Sequence, residues 1–72
     1  MKVGLIAGDG SFPLEVAKSI SQKNNEIFII AIKGSASKDI ESYPHLWIRI
    51  GEIGKAIKAL KENNCKEVIL IG

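Results

Sequence analysis

The chain is poor in most of the residues that build small specialised scaffolds. A single cysteine, Cys65, excludes an internal disulfide among its 72 residues and fits a reducing compartment. One histidine, His45, and that lone cysteine stand at no metal-ligand spacing, which argues against a zinc site. No Ser/His/Asp set can be assembled into a triad, and no catalytic constellation is visible. Ten basic against eight acidic residues leave a formal charge of +2, too small a bias to argue for nucleic acid as a partner. The apolar runs are all too short to span a bilayer. Met1-Lys2 leads directly into a strand-like run without a small-residue cleavage site, so a signal peptide is not expected and a cytoplasmic location is.

What is present is 46% apolar and 25% charged residues, the balance of one small globular domain. A domain of this size buries only roughly 60% of its unfolded surface. Residues 2–7 read as a buried strand, and Phe12 opens a helix over 12–23 with Phe12, Val16, Ala17 and Ile20 inward. Ser11 suits its N-cap and Pro13 its first turn. Ile27 to Ile32 is a second buried strand. Residues 33–45 are turn-rich, with room for one short turn between Asp39 and Tyr43. Leu46 to Ile50 follows as a third strand. A second helix spans 52–63, with Ile53, Ala56, Ile57 and Leu60 inward, and Val68 to Ile71 is a fourth strand. Asn24-Asn25 and Asn63-Asn64 close the two helices, since asparagine tolerates the left-handed backbone of a helix end.

The order β-α-β-loop-β-α-β predicts an α/β domain, a Rossmann-like parallel four-stranded sheet with strand order 3-2-1-4 and two main helices. Such strands need cover on both faces, and two helices cannot supply it for four strands. The fold is therefore incomplete on its own, which predicts that these residues are part of something larger, completed by a C-terminal domain or partner chain, or form a homodimer.

Four features are candidates for chemistry. Gly8-Asp9-Gly10-Ser11-Phe12 leaves the first strand where open α/β sheets bind ligands, and reads either as a phosphate cradle or as a plain tight turn. Pro13 stands where the dinucleotide fingerprint has its third glycine, which speaks against NAD or FAD. Lys33-Gly34 ends the second strand in place of the acidic ribose anchor; the lysine meets a phosphate or is merely solvated. Gly51-Glu52-Ile53-Gly54-Lys55 is only superficially like the end of a Walker A loop, Ala56 replacing its Ser or Thr. Its backbone offers either an anion site at Gly54 and Lys55 or an ordinary helix start. Lys55, Lys58 and Lys61 form a stripe that is either a solvated face or a contact for anionic lipid.

Gly4-Leu5-Ile6-Ala7-Gly8-Asp9-Gly10-Ser11-Phe12-Pro13 resembles the opening of the LpxI-type UDP-2,3-diacylglucosamine pyrophosphatases. The likeness extends through Ala31-Ile32-Lys33-Gly34, the stretch Trp47 to Ile57, and Lys66 to Gly72, covering essentially the whole chain. It implies the Rossmann-like N-terminal domain of a Gram-negative lipid A pathway hydrolase. Such an enzyme splits UDP-2,3-diacylglucosamine into UMP and 2,3-diacylglucosamine 1-phosphate with a divalent metal, magnesium by this resemblance. Its catalytic acidic residues belong to a C-terminal domain with no counterpart in residues 1–72, so no catalytic or metal-binding residue is carried over. The resemblance implies substrate contacts at Gly8, Asp9, Gly10, Ser11, Phe12 and Gly72, with Lys33, Gly54 and Lys55 as further candidates, and work at or near the inner membrane surface. The alternative from the residues alone is a non-catalytic nucleotide- or phosphate-binding module, or an assembly domain acting through a partner chain.

Overall fold

The computed structural model describes residues 1–10 and 12–71. The elements run β1 (Lys2–Ala7), α1 (Phe12–Gln22), β2 (Glu26–Ile32), a five-residue 3-10 helix (Lys38–Ser42), β3 (His45–Ile48), α2 (Ile53–Glu62) and β4 (Glu67–Ile71). The four strands form one parallel sheet in the order β3-β2-β1-β4. This is the incomplete Rossmann-like arrangement expected from the order of apolar runs.

Alternation along the central strands divides the core between two faces. Leu5, Ala7, Ile27, Ile29 and Ala31 pack with Ala17 of α1 and with Ile40 of the 3-10 helix. Phe28, Ile30 and Ile48 pack with Ala56 and Leu60 of α2 on the other face. The 33–45 segment holds no full helix, yet its short turn supplies Ile40, which is 1% exposed, as cover beside α1. Ser37 orders that turn, its Oγ accepting from the Asp39 N–H at 3.3 Å.

Both helices end as the asparagine pairs suggest, with Asn24 at φ 63° and Asn64 at φ 57°. Gly4 on β1 serves a different need. An added Cβ there would run into the Leu60 side chain and come within 3.3 Å of Cys65 Sγ, so glycine permits the close approach of α2 to the sheet.

Three expectations are corrected. β3 stops at Ile48 and not at Ile50. Beyond it the Arg49 N–H donates to Glu52 Oε1 at 2.7 Å and the Glu52 N–H to the Arg49 carbonyl at 2.9 Å, a closed turn that leads the backbone off the sheet. Phe12 is not inward but exposed, because α1 buries Pro13 and Ala17 and its first residue falls off that line. Ile53 and Ile57 are also exposed, because α2 rests on the sheet along Ala56 and Leu60 and leaves the flank beside that line uncovered.

Candidate functional site

The carboxyl ends of the parallel strands gather the loops in which open α/β sheets hold ligands. The loop after β1 is fixed by two contacts. The Gly8 N–H donates to the Ile71 carbonyl at 2.8 Å, tying the loop to β4, and Gly10 forms an isolated parallel bridge with Ala36. Gly10 takes φ +85°, a conformation that L side chains resist. Among the described residues nothing lies within 4 Å of the Cβ it lacks, so the backbone there is open to an approaching group. Asp9 is exposed, and its Oδ1 accepts from the Gly10 N–H at 3.0 Å. The aspartate thus takes a local turn role. Phe12 begins α1, whose first N–H groups have no partner within the helix. Ser11 and Gly72, also predicted substrate contacts, lie outside the described residues.

The Gly10–Ala36 bridge brings the turn after β2 alongside this loop. Lys33 leaves β2 with its N–H on the Ile48 carbonyl at 2.8 Å, which sets it beside the end of β3. Just past that end stand Arg49 and Glu52, and Gly54 and Lys55 follow in the first turn of α2. The Lys55 and Ala56 N–H groups both donate to the Glu52 carbonyl, at 3.1 and 3.2 Å. Lys55 Nζ lies 4.0 Å from Glu52 Oε2. The Arg49 N–H holds the Glu52 carboxyl below its usual range; slight burial opposes this, and the charges of Lys55, Arg49 and Lys33 assist it. Lys55 thus lies near the Glu52 carboxylate, which also feels the charges of Arg49 and Lys33.

Sequence reasoning named Lys33, Gly54 and Lys55 but passed over Arg49 and Glu52. Arg49 was hidden by the expectation that β3 continues to Ile50. The glutamate three residues on, able to reach back to the Arg49 N–H, was the available signal.

The rim also exposes apolar groups: Phe12 is 59% and Ile50 81% exposed. A separate cleft of about 270 Å³, lined by Lys2, Ser21, Asn25, Glu26, Ile27, Tyr43 and Pro44, opens at the amino ends of the strands, away from the glycine loop.

No group of three His, Cys, Asp or Glu side chains comes together among the described residues. They assemble no ligand set that fits a divalent metal, and no chemical step is assigned to one here. Among the described residues no helix is long and apolar enough to cross a membrane.

Comparison with known proteins bears on the same residues. The family model described as the LpxI N-terminal domain matches residues 2–72. The UDP-2,3-diacylglucosamine pyrophosphatase LpxI of Caulobacter vibrioides is 34% identical over 71 residues, which cover 99% of this chain and 25% of that protein. The chain thus spans a quarter of the length of this relative. With a match over nearly its full length and the sheet order to accompany it, the chain belongs to the LpxI N-terminal domain family.

Proposed function

We propose that this chain forms one wall of the substrate cleft of a pyrophosphatase that cleaves UDP-2,3-diacylglucosamine to UMP and 2,3-diacylglucosamine 1-phosphate. The observation that carries the reading is the Gly10–Ala36 bridge, which unites the glycine loop with the turn bearing Lys33, beside Arg49 and Lys55. In this reading the rim holds and orients the anionic part of the substrate. Backbone N–H groups at the start of α1 and the three cations offset its charge. Phe12 and Ile50 give an apolar border for acyl chains. The general base, and the carboxylates that hold the metal, come from a C-terminal domain or a partner chain. A divalent metal, magnesium in this proposal, would polarise the pyrophosphate there. In this proposal the enzyme works in the cytoplasm at the inner membrane surface of a Gram-negative cell, in lipid A synthesis.

Titration of the isotope-labelled chain with UMP, followed by amide chemical shifts, tests this. Shifts at Gly8, Gly10, Phe12, Lys33 and Lys55, weakened in Lys33→Ala and Arg49→Ala, are the expected result. Shifts confined to Lys2, Ser21 and Tyr43, or none at millimolar UMP, would overturn it and leave the glycine loop a turn former in an assembly domain.

A further inference from the structure

The sheet is ragged at its amino end. β2 starts at Glu26, whereas β3 first pairs with it at Ile29, through His45. Glu26, Ile27 and Phe28 therefore run about 10 Å with no strand on that side. Between its two neighbours a parallel strand sends successive residues' backbone groups alternately to either side. The Glu26 N–H donates to the Met1 carbonyl beside β1 at 3.0 Å, and the Ile29 N–H to the Pro44 carbonyl beside β3 at 2.9 Å. Ile27 accordingly presents both its N–H and its carbonyl to the β3 side. Carried back one step, the β2–β3 register would set Ser42 and Pro44 against them. The chain has already turned away there, since the Tyr43 N–H closes the 3-10 helix on the Ile40 carbonyl at 3.1 Å. Pro44 has no N–H to give to the Ile27 carbonyl. Among the described residues neither Ile27 group has a backbone partner on that side. Ile27 is only 5% exposed, and it lines the cleft of about 270 Å³ together with Ser21, Asn25, Tyr43 and Pro44.

We propose that this cleft binds a short extended peptide segment, its main chain bridging to Ile27 and a small apolar side chain resting between Tyr43 and Pro44. The chemistry of the gap selects the occupant. Buried backbone donors and acceptors are nearly always paired, and a donor and acceptor side by side on one residue are matched by the amide groups of another extended chain. An anion would meet the Ile27 carbonyl and the Glu26 carboxylate. Lys2 and Glu26 stand opposite each other in register at the cleft and bring one charge of each sign, so the mouth favours a neutral ligand. Tyr43 adds an aromatic wall that is itself packed against the α1-side core and so is held in place. The inference is independent of the pyrophosphatase reading, because the cleft lies at the opposite end of the strands from the glycine loop.

Titration of the isotope-labelled chain with the uncharged peptide acetyl-trialanine methylamide, followed by amide chemical shifts, tests the proposal. Saturable shifts at Asn25, Ile27 and Tyr43 are expected. In the free chain the Ile27 amide should exchange faster than those of Phe28 and Ile29, which are bonded into the sheet, and saturating peptide should slow it about tenfold. The same peptide N-methylated at its central residue keeps the apolar surface and loses one donor; it should bind about tenfold more weakly. Ser21→Trp, at an exposed position on the wall of the cleft, should abolish the shift at Ile27 and leave the melting temperature unchanged. Equal binding of the N-methylated peptide would overturn the proposal, as would binding that a folded Ser21→Trp variant retains. Shifts that fall on the glycine loop instead, or none at tens of millimolar peptide, would do the same.

Discussion

Gly10 pairs with Ala36 across the carboxyl end of the sheet, joining a loop that follows β1 to one that follows β2. Both partners sit beyond the regular ladder, so the bridge holds the loops and not the strands. Its existence depends on Gly10 at φ +85°, and this makes Gly10 the position where backbone conformation and candidate ligand contact coincide.

Gly10→Val should cost about 1–3 kcal/mol through backbone strain, because no described residue lies within 4 Å of the new Cβ. Gly10→Asn, which tolerates positive φ, should cost less. Thermal melts of both, paired with UMP titrations, separate the roles: with the bridge kept, Asn should retain binding, and Val should weaken it.

Gly4→Ala acts by collision and not by strain. The new methyl meets Leu60 and approaches Cys65 Sγ to 3.3 Å, and Leu60, at 7% exposed, has little room to yield. A loss of about 1–3 kcal/mol is expected, lowering the melting temperature by roughly 4–8 °C per kcal/mol in a domain of this size. Leu60→Ala in the same background should recover part of the penalty that Gly4→Ala adds.

Glu52 ties stability to acid pH. Its folded carboxyl lies below the ordinary value, chiefly because it accepts the Arg49 N–H. Its contribution is therefore complete above about pH 4.3 and disappears as pH falls through the lower folded value. Urea melts of the wild type and of Glu52→Gln should differ at neutral pH and converge below that range.

Cys65 behaves in the opposite sense. Burial raises its thiol, and the charge of Lys2 partly counters the rise. The folded protein favours the neutral thiol, so stability falls as pH rises past the unfolded value of about 8.5. Iodoacetamide should alkylate Cys65 with a pH midpoint above that of the denatured chain, and Lys2→Ala should move the midpoint higher still.

The 72-residue chain is expected to release no UMP from UDP-2,3-diacylglucosamine when magnesium is added, since its described residues present no carboxylate cluster to hold the metal. Chromatographic detection of UMP with contaminating hydrolases excluded would place catalysis in residues 1–72 after all.

The chain's own pattern determined the elements and their order. Uninterrupted apolar runs at Val3, Leu5 and Ile6 and at Ile27 to Ile32 can only be strands covered on both sides, and the asparagine pairs stop the helices where the backbone must turn left-handed. The 3-2-1-4 sheet follows from those elements, because right-handed crossovers leave few alternatives. The glycine loop and Lys33 were legible as site candidates for the same reason: each ends a strand. Tertiary structure alone decided the rest. Apolar spacing puts Phe12, Ile53 and Ile57 on plausible inner stripes, but a helix rests on the sheet along one narrow line, and Ala17, Ala56 and Leu60 occupy it. Which glycine lies beneath Leu60, that Gly10 reaches Ala36, and that Lys33 lies beside the end of β3 all depend on contacts between residues distant in the chain. Periodicity reports which side chains share an element's face; only packing sets what that face meets.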